Sequence, residues 1–280
     1  RPRRSLVSFS IGTKGYICVG IDSTSNFTNE VWEWDQTTNT WTQKSDFPGP
    51  CRALSVGLSI GAKGYIGTGE GCGGNQRDFW EYDPTLDTWT QKADFGGLAR
   101  YDAQGFSIGN KGYIGGGISD IGPSFWQIDF WEYDPATGNW VQLKDFAGPS
   151  RYAAVGFSIG TFGYIGTGDQ CGSYANDLWE LDPTYIDPDP QVKRGKWIQK
   201  TSFPGLVRTL AAGFSIGNKG YIGTGQTTGN VNVKDFWEFT PSNVWTGIAG
   251  NNWNSPSNWY QGFVPDEGTN TFIPNTTTKP

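Results

Sequence analysis

The chain has 280 residues, with 41 Gly, 14 Trp, 12 Tyr and 17 Phe, only 17% charged residues and a formal net charge of −6. That composition suits many short strands joined by tight turns and excludes a disordered chain, which would lack aromatics. The acidic balance argues against a nucleic-acid partner, and no apolar run approaches the ~20 residues of a membrane helix, so no membrane insertion is expected.

In chain order, the first segment is Arg1-Pro2-Arg3-Arg4, with no Met and no apolar signal core behind it. It reads as a mature or excised piece of something longer. From Phe9 a nine-residue phrase begins, FSIGTKGYI, and it returns as LSIGAKGYI from Leu58, FSIGNKGYI from Phe106, FSIGTFGYI from Phe157 and FSIGNKGYI from Phe214. A second phrase follows each time: WEWD from Trp32, WEYD from Trp80 and Trp131, WELD from Trp179 and WEFT from Trp237. An Arg stands six residues ahead of each first phrase: Arg3, Arg52, Arg100, Arg151 and Arg208. Each unit predicts four strands, with a tight Gly-flanked hairpin between the first two and an Asp-Pro type turn before the fourth. One such sheet cannot bury its aromatic faces alone, so neighbours must stack around a common axis.

These units resemble kelch repeats. The likeness lies in the Arg before strand one, the glycine segment Tyr113-Ile114-Gly115-Gly116-Gly117, the Trp-Glu-Tyr-Asp-Pro run and the spaced Trp, and it recurs five times over residues 3 to 240. Most units read Gly-Thr-Gly, as at Gly67-Thr68-Gly69, where that family usually shows a Gly-Gly pair. The resemblance implies an all-β fold: a kelch-type β-propeller of four-stranded blades, related to the galactose oxidase central domain, with six or seven blades in the full ring. With five repeats visible, the expectation is a truncated ring over 1–243, lacking an upstream blade or at least a closing strand; a true five-blade ring is the alternative. After Val244 the text changes to Trp245-Thr246-Gly247, Asn252-Trp253-Asn254, Asn258-Trp259, Val264-Pro265 and Ile273-Pro274. Residues 244–280 resemble the start of a second β module found in multi-domain bacterial cell-surface proteins; a polar linker is the plainer reading.

If the strands alternate regularly, one face of the ring carries the Arg set and the variable loops Ile21–Asn29, Glu70–Arg77, Ile118–Ile128, Asp169–Asn176 and Gln226–Lys234. Binding resides where variable loops sit on a rigid scaffold. Arg52, Arg100, Arg151 and Arg208 could form a cationic ring at the channel mouth and hold an acidic peptide or sugar; a residue present in every blade can equally serve the blade. Function should break the repeat, which singles out Glu70, Arg77, Tyr101, Asp102, Asp120, Trp126, Tyr152, Asp169 and Tyr174, with the aromatics as contact anchors. The insert Tyr185–Gly195 reads as a surface knob. Of the four Cys, Cys18 and Cys51 fall toward the same face in adjacent blades, so a Cys18–Cys51 bridge and an oxidising, extracellular or cell-surface location are expected.

Without His there is no Ser-His-Asp triad, no imidazole-ligated metal and no copper chemistry of the galactose-oxidase kind. No cofactor is expected. The expected function is a non-enzymatic binding module for a protein or glycan ligand. The alternative is a metal-independent sugar enzyme of the sialic-acid mutarotase or epimerase type, using Arg for the carboxylate and Glu70 or Asp169 for proton transfer.

Overall fold

The computed structural model describes residues 2–122, 124–244, 252–260, 264–265 and 271–272. Its longer strands form five antiparallel sheets, one per repeat. The first comprises Val7–Ile11, Lys14–Cys18, Val31–Asp35 and Thr40–Lys44, and the second Val56–Ile60, Lys63–Gly67, Phe79–Asp83 and Thr88–Lys92. The third comprises Gln104–Ile108, Lys111–Gly115, Phe130–Asp134 and Asn139–Gln142, and the fourth Val155–Ile159, Phe162–Gly166, Leu178–Asp182 and Lys196–Lys200. The fifth has three strands, Ala212–Ile216, Lys219–Gly223 and Phe236–Phe239. The innermost strands of successive sheets lie side by side, and all five line one channel floored by Ser8, Ser10, Ser59, Ser107, Ser158 and Ser215. The fold is a β-propeller.

What holds blade to blade is aromatic insertion. Phe106 on the inner strand of the third blade lies against Gly163 of the fourth so closely that a Cβ at Gly163 would meet the ring at 2.1 Å. Phe9 and Phe157 pack on Gly64 and Gly220 in the same way. Burying each such ring stabilises by about 1.5–3 kcal/mol. Around the loop-side rim runs a backbone belt: Leu54 N–H donates to Ser5 O, Asp102 to Leu54, Ala153 to Asp102 and Leu210 to Ala153, at 3.0–3.3 Å. All five residues adopt left-handed φ of 48–56°. That conformation costs non-Gly residues about 1 kcal/mol each, and the inter-blade bonds hold it.

Among the described residues, the inner strands of the fifth and first blades do not pack side by side as those of the other neighbours do. Phe214, Ile216 and Phe236 are 41%, 64% and 53% exposed, whereas Phe106 and Phe130 of the third blade are 5% and 0% exposed. Beyond the blades, Asn243–Val244 pairs in parallel with Thr271–Phe272. Trp259 is buried edge-on against Trp253, and Tyr260 stacks on Phe162 at 4.7 Å and donates to Glu180. Phe162 stands where the other units carry Lys14, Lys63, Lys111 and Lys219; the tail covers the one apolar hairpin. Trp245 lies outside the described residues, as does most of the expected second module.

Candidate binding face

The repeated Arg residues do not form the expected ring. Arg52, Arg100, Arg151 and Arg208 are 0–1% exposed. Each guanidinium is consumed inside its own blade. In the third blade, Nε donates to Leu98 O, Nη1 to Gly116 O and Asp129 Oδ1, and Nη2 to Asp129 Oδ2 at 2.8 Å. Asp177 and Asp235 complete the same bidentate clasp, and Asp78 takes a single bond from Arg52 Nη2 at 2.6 Å. Phe95 stacks on the outer face of the guanidinium of Arg100, 4.9 Å from ring centre to Cζ. A buried cation is tolerable only when so fully paired. The expectation that these four Arg present charge to a ligand is therefore corrected. The acids respond in kind: the bidentate Arg208 bond holds Asp235 down to about 2. The repeated Glu is likewise structural, accepting from the blade's own Tyr, as Glu132 does from Tyr113 at 2.9 Å.

With the Arg set withdrawn, acidic and aromatic side chains predominate outward on the loop face of the second to fourth blades, alongside the exposed Arg77. In the second blade, Glu70–Gly71 pairs with Arg52–Ala53 and with Gly74–Asn75, leaving the Glu70 side chain exposed. Asn75 reaches across to Asp120 of the third blade at 3.1 Å. There Ile118 is flanked by Tyr101 and Trp126, and the same loop exposes Ile121 and Phe125. In the fourth blade Asp169 sits between Tyr152 and Tyr174; the Tyr152 hydroxyl donates to Asp169 Oδ2 at 2.9 Å, and Gly172 N–H to Oδ1. Burial, then that bond, pushes Tyr152 up to about 12. Tyr174 lines a separate cleft with Gln170, Trp179 and Gln199. Arg77, a predicted contact, is half-neutralised by Asp94 at 3.6 Å.

The third blade departs furthest from the repeat. Asp102 occupies the belt position held elsewhere by Ser5, Leu54, Ala153 and Leu210. Its carboxylate is half-buried, and burial, with Glu70 nearby, pushes it up to about 6. Two residues on, Gln104 replaces a small apolar residue; it is 3% exposed and its amide donates to Asp102 O. A Cβ at Gly116 would meet Gln104 Oε1 at 2.5 Å, and Gly116 is the one place where the Thr or Val of the other blades is Gly. Tyr101 is raised first by burial and then by the negative charges of Asp120, Glu70 and Asp102. Those four groups therefore converge at one part of the rim. Gln104 was not foreseen, though its place in a Val-Gly-Phe-Ser-Ile phrase marked it.

The disulfide also differs from expectation. Cys51 pairs with Cys72, and Cys18 is buried as a free thiol. The register is the reason: Arg52 faces Gly71 in the antiparallel pair, which sets Cys51 opposite Cys72 within one blade. The insert Tyr185–Gly195 folds back, and Arg194 bonds Glu132 of the third blade at 2.9 Å. It is a strap rather than a free knob.

No family model matches this chain, and no curated protein matches it. Solved structures do. One, a structure of YjhT, shares 15% identity over 86% of this chain and 95% of the other, with a TM-score of 0.63. At that identity the likeness is one of fold, and together with the all-β blades it fits a kelch-type propeller.

Proposed function

We propose that the chain is a binding module that takes a protein or glycan ligand on the loop face of its second to fourth blades. The observation that carries this is the separation of roles. Residues present in every blade are consumed by the blade, while the residues that break the repeat gather on one part of one face: Glu70, Tyr101, Asp102, Asp120, Trp126, Tyr152 and Asp169. Aromatic rings among hydrogen-bonding acids suit a polyol or a basic, aromatic-bearing peptide. The acidic ligand anticipated from the Arg set fits this face poorly, because those guanidinium groups are already paired. The Cys51–Cys72 bridge supports an oxidising, extracellular or cell-surface setting.

A glycan array with matched acidic and basic peptide panels tests the reading. Neutral glycans or basic peptides are expected to bind, and Trp126→Ala or Glu70→Gln to weaken them at least tenfold. Preference for acidic ligands would overturn it. The second reading, a metal-independent sugar enzyme, draws support from Asp102, whose position near 6 suits proton transfer at neutral pH. NMR anomer exchange of sialic acid, accelerated by the protein and abolished by Asp102→Asn, would establish that reading instead.

A further inference from the structure

Four aromatic sockets repeat around the arc: three are built from the clasped Arg, an Ile of the second strand and two Trp, and the fourth, in the fifth blade, shows its Arg and one Trp among the described residues. Phe47 packs on Trp80 and Trp89 with Arg52 over its ring at 4.8 Å. Phe95 does so on Trp131, Trp140 and Arg100, and Phe146 on Trp179, Trp197 and Arg151. Phe203 packs on Trp237 and Arg208. These rings are 0–6% exposed. Every one lies four residues after a Gln and five before the Arg it covers.

The first blade has the same walls, and among the described residues no ring fills them. Arg3, Ile17, Trp32 and Trp41 line a cleft of about 220 Å³. Arg3 holds Glu30 at 2.6 Å, as its counterparts hold Asp, and Trp32 donates to the same carboxylate. Among the described residues no aromatic ring covers Arg3, and Trp41 is 53% exposed where its counterpart Trp197 is 8%. An apolar cavity of roughly 150 Å³ suffices for a benzene-sized ring.

We infer that this cleft is a docking socket for a phenylalanine carried on an extended Gln-x-x-x-Phe segment of the same kind as the four that fill the other sockets. Continuity with the occupied interfaces chooses the occupant: the walls repeat those of the second to fourth blades residue for residue, and the guanidinium face and two Trp edges match an aromatic ring rather than an aliphatic side chain. In the four occupied sockets the ring stands five residues ahead of its Arg, the spacing that the test reproduces at Arg3.

The test joins Ser-Asp-Phe-Pro-Gly ahead of Arg1, reproducing the 45–49 segment at the matching distance from Arg3, and compares it with the same extension carrying Ala for Phe. The Phe form is expected to raise Tm by about 3 °C, the shift that about 1 kcal/mol gives a chain of this size. It is also expected to shield one Trp from acrylamide quenching. The Ala form should do neither, and Trp41→Ala, at an exposed site that tolerates truncation, should abolish the gain. Equal behaviour of the Phe and Ala forms would overturn the inference. So would concentration-dependent shielding of Trp41 in the unextended protein, which would assign the socket to a second copy, or shielding by monosaccharides alone.

Discussion

The third and fifth blades contain the same nine residues, FSIGNKGYI, at 106–114 and 214–222. Their backbones pair identically, with Phe106 opposite Tyr113 and Phe214 opposite Tyr221. Yet Phe106 is 5% exposed and Phe214 41%. The difference is the neighbour: Phe106 meets Gly163 of the next blade, and Phe214 meets no such blade among the described residues. Local sequence makes the hairpin; the adjoining blade makes the core. That is the energetic logic of a repeat architecture, in which interfaces supply what single units lack.

The Arg clasp sharpens the comparison because it lies within a blade together with the linker that enters it. Arg100→Ala and Arg208→Ala should each cost about 3 kcal/mol, since each removes a fully buried guanidinium and leaves a partly exposed carboxylate without its partner, and urea unfolding should find them alike in both blades. The inserted rings should separate the blades. Phe106→Ala is expected to lose about 3–4 kcal/mol and Phe214→Ala about 1 kcal/mol, read from the same denaturation curves.

Charge at the belt gives a smaller, pH-dependent contrast. Asp102 sits near 6, above the ordinary carboxylate value, so its neutral form is favoured in the fold. As pH rises from about 4 to 6 the unfolded chain ionises first, and native stability falls, then stays level above 6. Asp102→Asn should therefore gain about 1–2 kcal/mol at pH 7.5 and nothing at pH 3.5. Leu210, the fifth-blade counterpart, is 59% exposed, so Leu210→Asp should show no such profile. The smallest effect belongs to the exposed hairpin pair Lys219–Glu238, where Lys219→Ala should change stability by less than about 0.5 kcal/mol.

Much of the fold was legible because the repeat states it five times: strand count, hairpin positions and the spaced Trp all follow from the phrases. The Arg role was misjudged although its partner was in view. An Asp stands two residues before the Trp of the second phrase at Asp78, Asp129, Asp177 and Asp235, and each of them pairs with its blade's Arg. Spacing along the chain could not say that the two would meet. The disulfide failed for a related reason: Cys51–Cys72 depends on the register of the short Arg52–Ala53 pairing, which no periodicity announces. On the candidate binding face, Tyr101, Trp126, Tyr152 and Asp169 were readable as breaks in the repeat. The Asp102–Gln104–Gly116 set needed coordinates to show that the glycine makes room for the amide.

Native-state hydrogen exchange at the two identical nonapeptides tests most directly whether stability is lent by the adjoining blade. Amides of 106–114 should exchange only through near-global opening, and those of 214–222 at least a hundredfold faster through local opening. Equal protection of the two segments would contradict the account.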